Sequence, residues 1–458
     1  MERFDVFVVG AGACGSEIAL TLAGQSGLRI GLAERDRLGG ECANYGCDPT
    51  KTMLQSAKVA AQARRAGRFG VRTGPVEVDF AKVMARVREL VASSTGEGHK
   101  PFREAGVTVV PEEVRLVGPR RLEDASGRRI HAERIVLAVG TDPTAPPIPG
   151  LEDSPYWTNR EAIWAPERVP ASLGVIGAGP IGVEFAQLYA RFGSRVTVLE
   201  AADRLLPPAD ADAGAALLPA LEEDGVTVLT GVKVTAAEHR AGSGWVLRVE
   251  GRRDVEVTEL LVAAGRRPRL SGHDLAAAGV ELDGDRPVLD QRLRTTADGV
   301  WAAGDATGEL LFTHVADYEA ALVVADLLGR PAQRDYRVVP NVTYCDPEVA
   351  GVGATEEAAR EDGREVATAL VRLADNERAR IAGQPHGIVK LVADARSGEL
   401  LGGHLVAESA GELLGEVIAV MAGRIPVGAV GAAIHPYPTL SQSVQGAFDQ
   451  LARKLDKP

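Results

Sequence analysis

Two cysteines five residues apart, Cys42 and Cys47, are the side chains in this sequence best placed to do chemistry. They stand in the string Cys-Ala-Asn-Tyr-Gly-Cys-Asp-Pro-Thr-Lys, directly after Gly39-Gly40. Spacing alone fits two core thiols equally well; the flanking residues favour chemistry. Pro49 suits the first turn of a helix, which puts Cys47 at a helix N-terminus, where a thiolate is favoured. Lys51 follows four residues later and so shares the helical face of Cys47. Four cysteines in 458 residues are too few for a secreted disulfide scaffold. A reducing cytoplasm is therefore expected, and a cysteine pair there is redox-active rather than structural. The other two, Cys14 and Cys345, read as small buried hydrophobes, Cys14 filling a slot in a glycine turn.

The elements that must position such a pair are written in a degenerate internal repeat. Asp5 to Glu34 reads as an apolar strand, a glycine turn, an Ala/Leu-rich helix and a second strand ending in acid. Leu173 to Glu200 repeats the pattern, with Gly10, Gly12, Gly15 and Glu17 overlaying Gly177, Gly179, Gly182 and Glu184. The first glycine of each set makes the tight turn, the second lets a pyrophosphate approach the backbone, and the third lets helix pack on strand. Both copies therefore predict a dinucleotide site. Glu34 and Glu200 close the second strands, where a carboxylate can accept from a ribose 2′-hydroxyl. A 2′-phosphate would be repelled by Glu200, which favours NAD(H) over NADP(H). Continuous apolar strands alternating with helices predict parallel sheets buried on both faces.

Composition bounds the rest. The length predicts two to four domains. Hydrophobic residues at 45% and charged residues at 25% match an ordinary globular protein. A formal charge of -12 leaves no basic field for nucleic acid or anionic lipid, so neither is an expected partner. The most apolar window, Leu413 to Ile434, is interrupted by Glu416, Arg424 and Pro426, so no membrane span is predicted. Glu2, Arg3 and Asp5 precede the first apolar run, which reads as a strand and not a signal peptide. Prolines between Pro143 and Gly150 end the first segment, and Gly265-Arg266-Arg267-Pro268 closes the second repeat. The pattern changes again near Gly329-Arg330-Pro331. The expected layout is 1–150 with 271–330 for one nucleotide domain, 151–270 for the second, and an α+β domain over 331–458. His314, His386 and His404 have no ligand spacing, so no structural metal is expected.

Taken together, these strings resemble the class I pyridine nucleotide-disulfide oxidoreductases, the flavoprotein family of dihydrolipoamide dehydrogenase, glutathione reductase and mercuric reductase. The likeness rests on Gly39 to Lys51, Ala138-Val139-Gly140, Gly265 to Pro268, Val300 to Asp305 and Pro347 to Gly353, in the family's order. The resemblance implies two Rossmann-like domains, for FAD and NAD(P), and a C-terminal dimerisation domain, with the active site shared between two subunits. FAD would lie on the first turn, with Gly40 nearby, Glu34 on its adenosine ribose and Gly304-Asp305 on its ribityl chain. Thr313, His314 and Val315 would approach the flavin carbonyl edge. The second turn would bring nicotinamide to the other flavin face, with Gly140, Gly265 and Arg266 at the domain junction. Lys51 would pair with Glu184 beside the flavin, Cys47 would be the charge-transfer thiolate, and Cys42 the interchange thiol facing the acceptor.

The C-terminus departs from that pattern. Disulfide reductases of the family carry His-Pro-Thr followed by a glutamate, an acid/base dyad supplied by the partner subunit. Here the string is His435-Pro-Tyr-Pro-Thr-Leu-Ser-Gln442, which puts Tyr437 and Gln442 in those places. Tyrosine, with an ordinary pKa near ~10, is a poor base at neutral pH, and acid–base help is typically worth ~10²–10⁴-fold. His435 lies two residues away, roughly 6–7 Å along an extended chain, and reads as structural. Tyr437 is similar to the mercuric reductases and to a quinone-reducing branch of dihydrolipoamide dehydrogenase-like proteins. The C-terminal cysteine pair and N-terminal metal-capturing domain of mercuric reductase are not in this sequence. Asp48, where an apolar residue is common, is expected to raise the neighbouring thiol's pKa. The expected activity is thus an FAD enzyme passing hydride from NAD(P)H to the Cys42/Cys47 pair and on to a quinone-like molecule or soft metal ion. The alternatives are dihydrolipoamide dehydrogenase and, in another class, a flavin-binding structural subunit with vestigial redox chemistry.

Overall fold

Residues Phe4, Phe7 and Val9 of the first strand bury on one side of a sheet, and Val6 and Val8 on the other. A strand covered on both faces must be apolar at successive positions, which is how Val6-Phe7-Val8-Val9 reads. The computed structural model describes residues 1–96, 98–330 and 332–456. Pro331, in the last expected boundary, lies outside them. The described residues form two compact units: Met1–Thr52, Met84–Thr144 and Gly265–Asp335 in the first, and Met53–Val83, Ala145–Ala264 and Tyr336–Pro458 in the second.

The first unit is built on a sheet in the order Thr108–Val110, Ile30–Ala33, Glu2–Val9, Arg129–Leu137, Arg121–Asp124, Val114–Gly118. Val300–Ala302 adds to it by pairing in parallel with Arg129–Leu137. Glu2–Val9 pairs in parallel with both neighbours, Val6 opposite Ile30 on one side and opposite Arg134 on the other. The helices Ala13–Ser26 and Thr313–Leu327 share one core with this sheet through Ile18, Leu22, Ala320 and Val323. That places the first turns of both helices at the carboxyl ends of the central strands, where an open α/β sheet leaves its crevice.

The second unit repeats the device. Four parallel strands run in the order Thr227–Leu229, Arg195–Leu199, Ser172–Ile176, Glu259–Val262, with the helix Pro180–Phe192 following the glycine turn. An antiparallel ribbon, Val234–Arg240, Gly244–Val249 and Val255–Val257, covers this sheet around Trp245 and Leu247. The remainder is α+β. Five antiparallel strands, Pro340–Thr343, Glu348–Gly353, Leu400–Ala407, Ile388–Asp394 and Val366–Arg372, share a core with the helices Ala410–Gly423 and Ser441–Leu455. Among the described residues no helix is long and apolar enough to cross a membrane.

Candidate active site

The glycine turn of the first unit is closed by backbone contact. Gly10 takes φ +101°, and a side chain there would meet the Ala138 carbonyl oxygen at 2.3 Å. Gly15 lies so close to the Gly10 carbonyl that a Cβ would sit 1.9 Å from its oxygen. Glu34 is bound at both carboxylate oxygens: Oε2 accepts from the Ala11 N–H at 2.9 Å and Oε1 from the Asp36 N–H at 2.8 Å. The helix Ala13–Ser26 starts at Gly12 with no side chain capping it. Its leading N–H groups and the dipole's positive end are thus the natural partner of a pyrophosphate. Beside the turn runs a crevice lined by Glu34, Arg35, Glu113, Val114, Arg269 and His273, among others. Burial lowers the pKa of His273, whose Nδ1 lies 2.9 Å from the Val114 carbonyl. Sequence reading picks Gly10 and Glu34 out of this crevice and misses Arg35, Glu113, Arg269 and His273, whose places come largely from distant segments. The uncapped helix start, the backbone closeness at the turn, the fixed Glu34 carboxylate and the crevice fit the adenosine and pyrophosphate of FAD.

The second turn has the same construction. Gly177 takes φ +102°, and Glu200 accepts from the N–H groups of Ala178 at 2.6 Å and Ala202 at 2.8 Å. The helix behind it again begins without a side-chain cap, at Gly179. No atom comes within 4 Å of a Cβ built on Gly179, so space lies open where a dinucleotide's phosphates would pass.

The cysteines follow directly from the first turn. Gly39 donates its N–H to the Ala11 carbonyl at 2.9 Å, and Gly40 presses on Gly12, where a Cβ would lie 2.6 Å from the Gly12 Cα. Asn44, a member of the Gly39 to Lys51 string, is buried, donates to the Leu38 and Gly40 carbonyls at 3.0 and 2.9 Å and stitches this loop. The helix Gly40–Tyr45 carries Cys42, and Cys47 opens the helix Cys47–Arg65, as the Pro49 signal requires. Both sulfurs are free thiols and half-buried. They hydrogen-bond to each other, and that contact, burial and the charge of Cys47 push the Cys42 thiol up, with Asp48 adding to the effect. The Thr313 hydroxyl donates to Cys42 Sγ at 3.2 Å and lies 3.6 Å from Cys47 Sγ.

A second network joins the cysteine helix to Asp305. Arg266 Nη2 pairs with Glu41 at 3.3 Å, its Nε donates to the Thr141 hydroxyl at 2.8 Å, and that hydroxyl donates to Asp305 at 3.3 Å. Burial raises the Asp305 pKa against the opposing charge of Arg266. Gly304 N–H donates to the fully buried Glu319 at 2.6 Å. Gly140 and Gly265 take positive φ, +70° and +144°, around the ribbon that pairs Thr141–Pro143 with Arg266–Pro268. His314 is exposed and stacks on Phe312, with ring centroids 5.3 Å apart, while Val315 is buried.

Residues 4–320 match the pyridine nucleotide-disulphide oxidoreductase family, and residues 339–448 match that family's dimerisation domain. The chain belongs to this family. A dihydrolipoyl dehydrogenase of Chlorobaculum tepidum is 38% identical, covering 98% of this chain and 97% of that protein. A mercuric reductase of Bacillus cereus is 33% identical over 99% of this chain and 72% of its own length. The Cu(II) complex of the HOCl-induced flavoprotein disulfide reductase RclA from Escherichia coli is 29% identical, with a TM-score of 0.87 over 98% and 100% of the two chains. The chain is therefore an enzyme, an FAD-dependent pyridine nucleotide-disulfide oxidoreductase, and not a binding-only subunit.

Lys51 is half-buried in the first unit. Glu184 is buried in the second, where its carboxylate accepts from the Tyr344 N–H at 2.8 Å. Tyr437 is 72% exposed in this chain. His435 is engaged at both ring nitrogens, Nε2 with Glu416 at 2.9 Å and Nδ1 with the Ala433 carbonyl at 3.2 Å. Both contacts are to acceptor oxygens. Glu416 was legible only as a charge interrupting an apolar window. Cys14 and Cys345 are buried, and burial raises both thiols well above the ordinary range. Among the described residues no group of three or more His, Cys, Asp or Glu side chains is arranged to hold a metal ion.

Proposed function

We propose that this enzyme oxidises NADH in preference to NADPH and delivers the electrons through the Cys42/Cys47 couple to a small acceptor, a quinone-like molecule or a soft metal ion. Bound FAD supplies the two-electron relay between nicotinamide and sulfur. Gly10, Gly12, Gly15, Glu34, Gly304, Asp305 and the Thr313–Val315 backbone hold it in the 1–150 and 271–330 domain. Gly177, Gly179, Gly182 and Glu200, in the 151–270 domain, bind the nicotinamide nucleotide. Glu200 there accepts from a ribose 2′-hydroxyl and repels a 2′-phosphate, so NADH is the donor. Lys51, one turn along the helix that Cys47 opens, supplies an ammonium near the redox centre, and Glu184 supplies a carboxylate in the 151–270 domain. Residues 331–458 bring two copies together, and Tyr437 of each serves the acceptor site of the other. The compartment is the reducing cytoplasm, where Cys14 and Cys345 stay thiols.

The observation that carries this reading is the contact between Cys42 and Cys47 beside the Thr313 hydroxyl. Closing the pair to a disulfide releases two electrons and two protons; reopening it takes both back. A quinone consumes the same two electrons and two protons, and a soft metal ion takes electrons while the protons go to solvent. Neither needs a histidine to protonate a departing thiolate, which suits a chain with Tyr437 and Gln442. The Cu(II) complex of the RclA relative supports the metal arm.

The identity to dihydrolipoyl dehydrogenases favours a second reading, oxidation of dihydrolipoamide by NAD⁺. An acceptor screen separates the two. With NADH and NADPH side by side, quinone or Cu(II) reduction is expected to run well above dihydrolipoamide turnover, with NADH the better donor. Dihydrolipoamide oxidised faster than any other partner is used would install the second reading. In the same screen Cys42→Ser abolishes metal-ion reduction; quinone reduction that survives it marks a route independent of the sulfur pair.

A further inference from the structure

The two glycine repeats part company on the helix that follows each turn. In the first, Glu17 is exposed and accepts from the Thr21 hydroxyl at 2.8 Å, and Leu20 and Gly24 come three and seven residues after it. In the second, the matching positions are Glu184, Gln187 and Arg191 of the helix Pro180–Phe192. Spacings of three and seven put all three on one helical face, and all three are buried, Gln187 completely. That face meets the segment Tyr344–Asp346, just past the strand Pro340–Thr343. Gln187 takes both main-chain groups of Asp346: its Oε1 accepts from the N–H at 2.7 Å and its Nε2 donates to the carbonyl at 2.8 Å. Nε2 also donates to Asp224 at 3.0 Å, a carboxylate held in turn by Arg191 and Arg65 at 2.8 and 2.6 Å. Arg191 Nη1 pairs with the Asp346 carboxylate at 2.9 Å. Two residues before Asp346, the Tyr344 N–H donates to Glu184 Oε1 at 2.8 Å. A dinucleotide cradle does not require this clasp, since the first repeat has Leu20 and Gly24 in its place.

We propose that Gln187 is the positioning residue for Glu184: by clasping Asp346 it fixes the Tyr344 N–H, which fixes one carboxylate oxygen of Glu184. A primary amide carries an acceptor and two donors in one plane, and so matches both main-chain groups of a single residue. Buried main-chain groups must be paired, so a segment that loses the clasp shifts to find other partners and takes the Tyr344 N–H with it. This rests on the reading of Glu184 as the carboxylate of the nicotinamide domain and adds what aims it. Glu184 stands two residues past Gly182, early in the helix that the second glycine turn opens. The direction of its carboxylate therefore bears on how a bound nicotinamide sits for hydride transfer.

The test is amide hydrogen exchange in the holoenzyme, read by mass spectrometry on peptides that resolve Tyr344 and Asp346. Gln187→Met keeps an unbranched side chain and removes both polar arms. Exchange at both amides is expected to quicken about tenfold, as loss of one or two ordinary hydrogen bonds allows. Glu184→Ala should free the Tyr344 amide and leave that of Asp346 as protected as before, because the clasp acts upstream of the carboxylate. Unchanged Tyr344 exchange in Gln187→Met would overturn the proposal, and so would an Asp346 amide that loosens in Glu184→Ala. Should the methionine variant fail to fold, Gln187→Glu, which keeps the acceptor and loses the donors, is judged by the same criteria. Anaerobic mixing with NADH reads the consequence. The limiting rate of flavin bleaching in Gln187→Met is expected to fall about tenfold, with the half-saturating NADH concentration within about twofold of the parent, as misplacement of a group at the reacting centre produces. In the Glu184→Ala background the same substitution should slow bleaching no further; an equal slowing there marks a general brace and overturns the proposal. If NADH bleaches not even the parent protein, the hydride reading fails, while the exchange comparison still decides the role of Gln187.

Discussion

The two glycine turns are nearly superimposable in construction and differ in what covers them. In both, a glutamate at the end of the second strand accepts from the alanine N–H of the turn, and in both a later loop N–H bonds that alanine's carbonyl: Gly39 to Ala11 and Leu206 to Ala178. After that the chains diverge. In the first unit Gly40 folds onto Gly12, and the next helix carries Cys42. In the second, nothing lies within 4 Å of a Cβ on Gly179, whereas a Cβ on the equivalent Gly12 just reaches the Gly40 Cα at 4.0 Å. The difference is the neighbouring loop and not crowding at the phosphate glycine itself. The same dinucleotide cradle has been roofed once and left open once. A roofed cradle suits a cofactor that stays through many turnovers. An open one suits a nucleotide that must arrive and leave in each cycle, and the roof is the loop that delivers the redox cysteines.

The most severe way to break this comparison is to substitute the tight-turn glycines. Gly10→Ala combines a positive φ with a contact of 2.3 Å to a backbone oxygen, and Gly177→Ala does the same with 2.5 Å. The expected outcomes differ by cradle. Gly10→Ala purifies without flavin absorbance, whereas Gly177→Ala keeps its flavin and is not bleached by NADH. A Gly177→Ala protein that loses flavin as readily as Gly10→Ala would collapse the distinction.

The roof itself gives the next effect. Gly40→Ala places a Cβ 2.6 Å from the Gly12 Cα, a contact with backbone that cannot swing away, so flavin retention on gel filtration should fall. Gly179→Ala meets no protein atom, so its fold and flavin content should be unchanged. Its methyl occupies space the phosphates need, and the KM for NADH is expected to rise roughly tenfold or more, as a ~1 Å misplacement of bound substrate commonly costs. Smaller again is Glu200→Gln. It keeps an acceptor for the Ala178 N–H but removes the charge that opposes a 2′-phosphate. The NADPH-to-NADH ratio of kcat/KM should climb by about tenfold, the worth of one charged contact. An unchanged ratio would mean that Glu200 only braces the turn.

Both cradles were legible in the sequence because each is local. Glycines at fixed offsets, an apolar strand before them and a terminal acid after them are read from about thirty residues at once. The two flanking strands pair with each other in register, Val9 opposite Ala33 and Ile176 opposite Leu199, so short-range pattern becomes geometry directly. Cys47 at a helix start was legible for the same reason, through Pro49. What pattern could not supply was contact between distant segments. Nothing near residue 12 announces that Gly40 will press on it, and nothing near Cys42 announces the Thr313 hydroxyl. Nothing near His435 announces that Glu416, 19 residues upstream, will engage it. The crevice beside Glu34 draws its walls from near residues 9, 34, 113, 139 and 270, which no single window of sequence contains.

Asp48 gives the finest test of what the roof delivers. It is the residue after Cys47, and its negative charge is one of several influences raising the Cys42 thiol. The larger ones are the hydrogen bond with Cys47 and burial, neither of which a change at position 48 would touch. Asp48→Asn removes charge with little change in shape, so the midpoint of Cys42 alkylation by iodoacetamide should move down, by only a few tenths of a pH unit, because half-buried Asp48 still meets water that weakens its field. The sign is fixed: losing a negative neighbour favours the thiolate, so alkylation at neutral pH should quicken, about twofold on that estimate. Added salt should shrink the difference between wild type and variant, because screening acts on the charge and not on the hydrogen bonds. A midpoint that rises on losing Asp48 would mean that the residue serves Cys42 through the loop's geometry and not its field. In that case the roof over the first cradle, and not the charge beside it, would be what sets the reactivity of the sulfur pair.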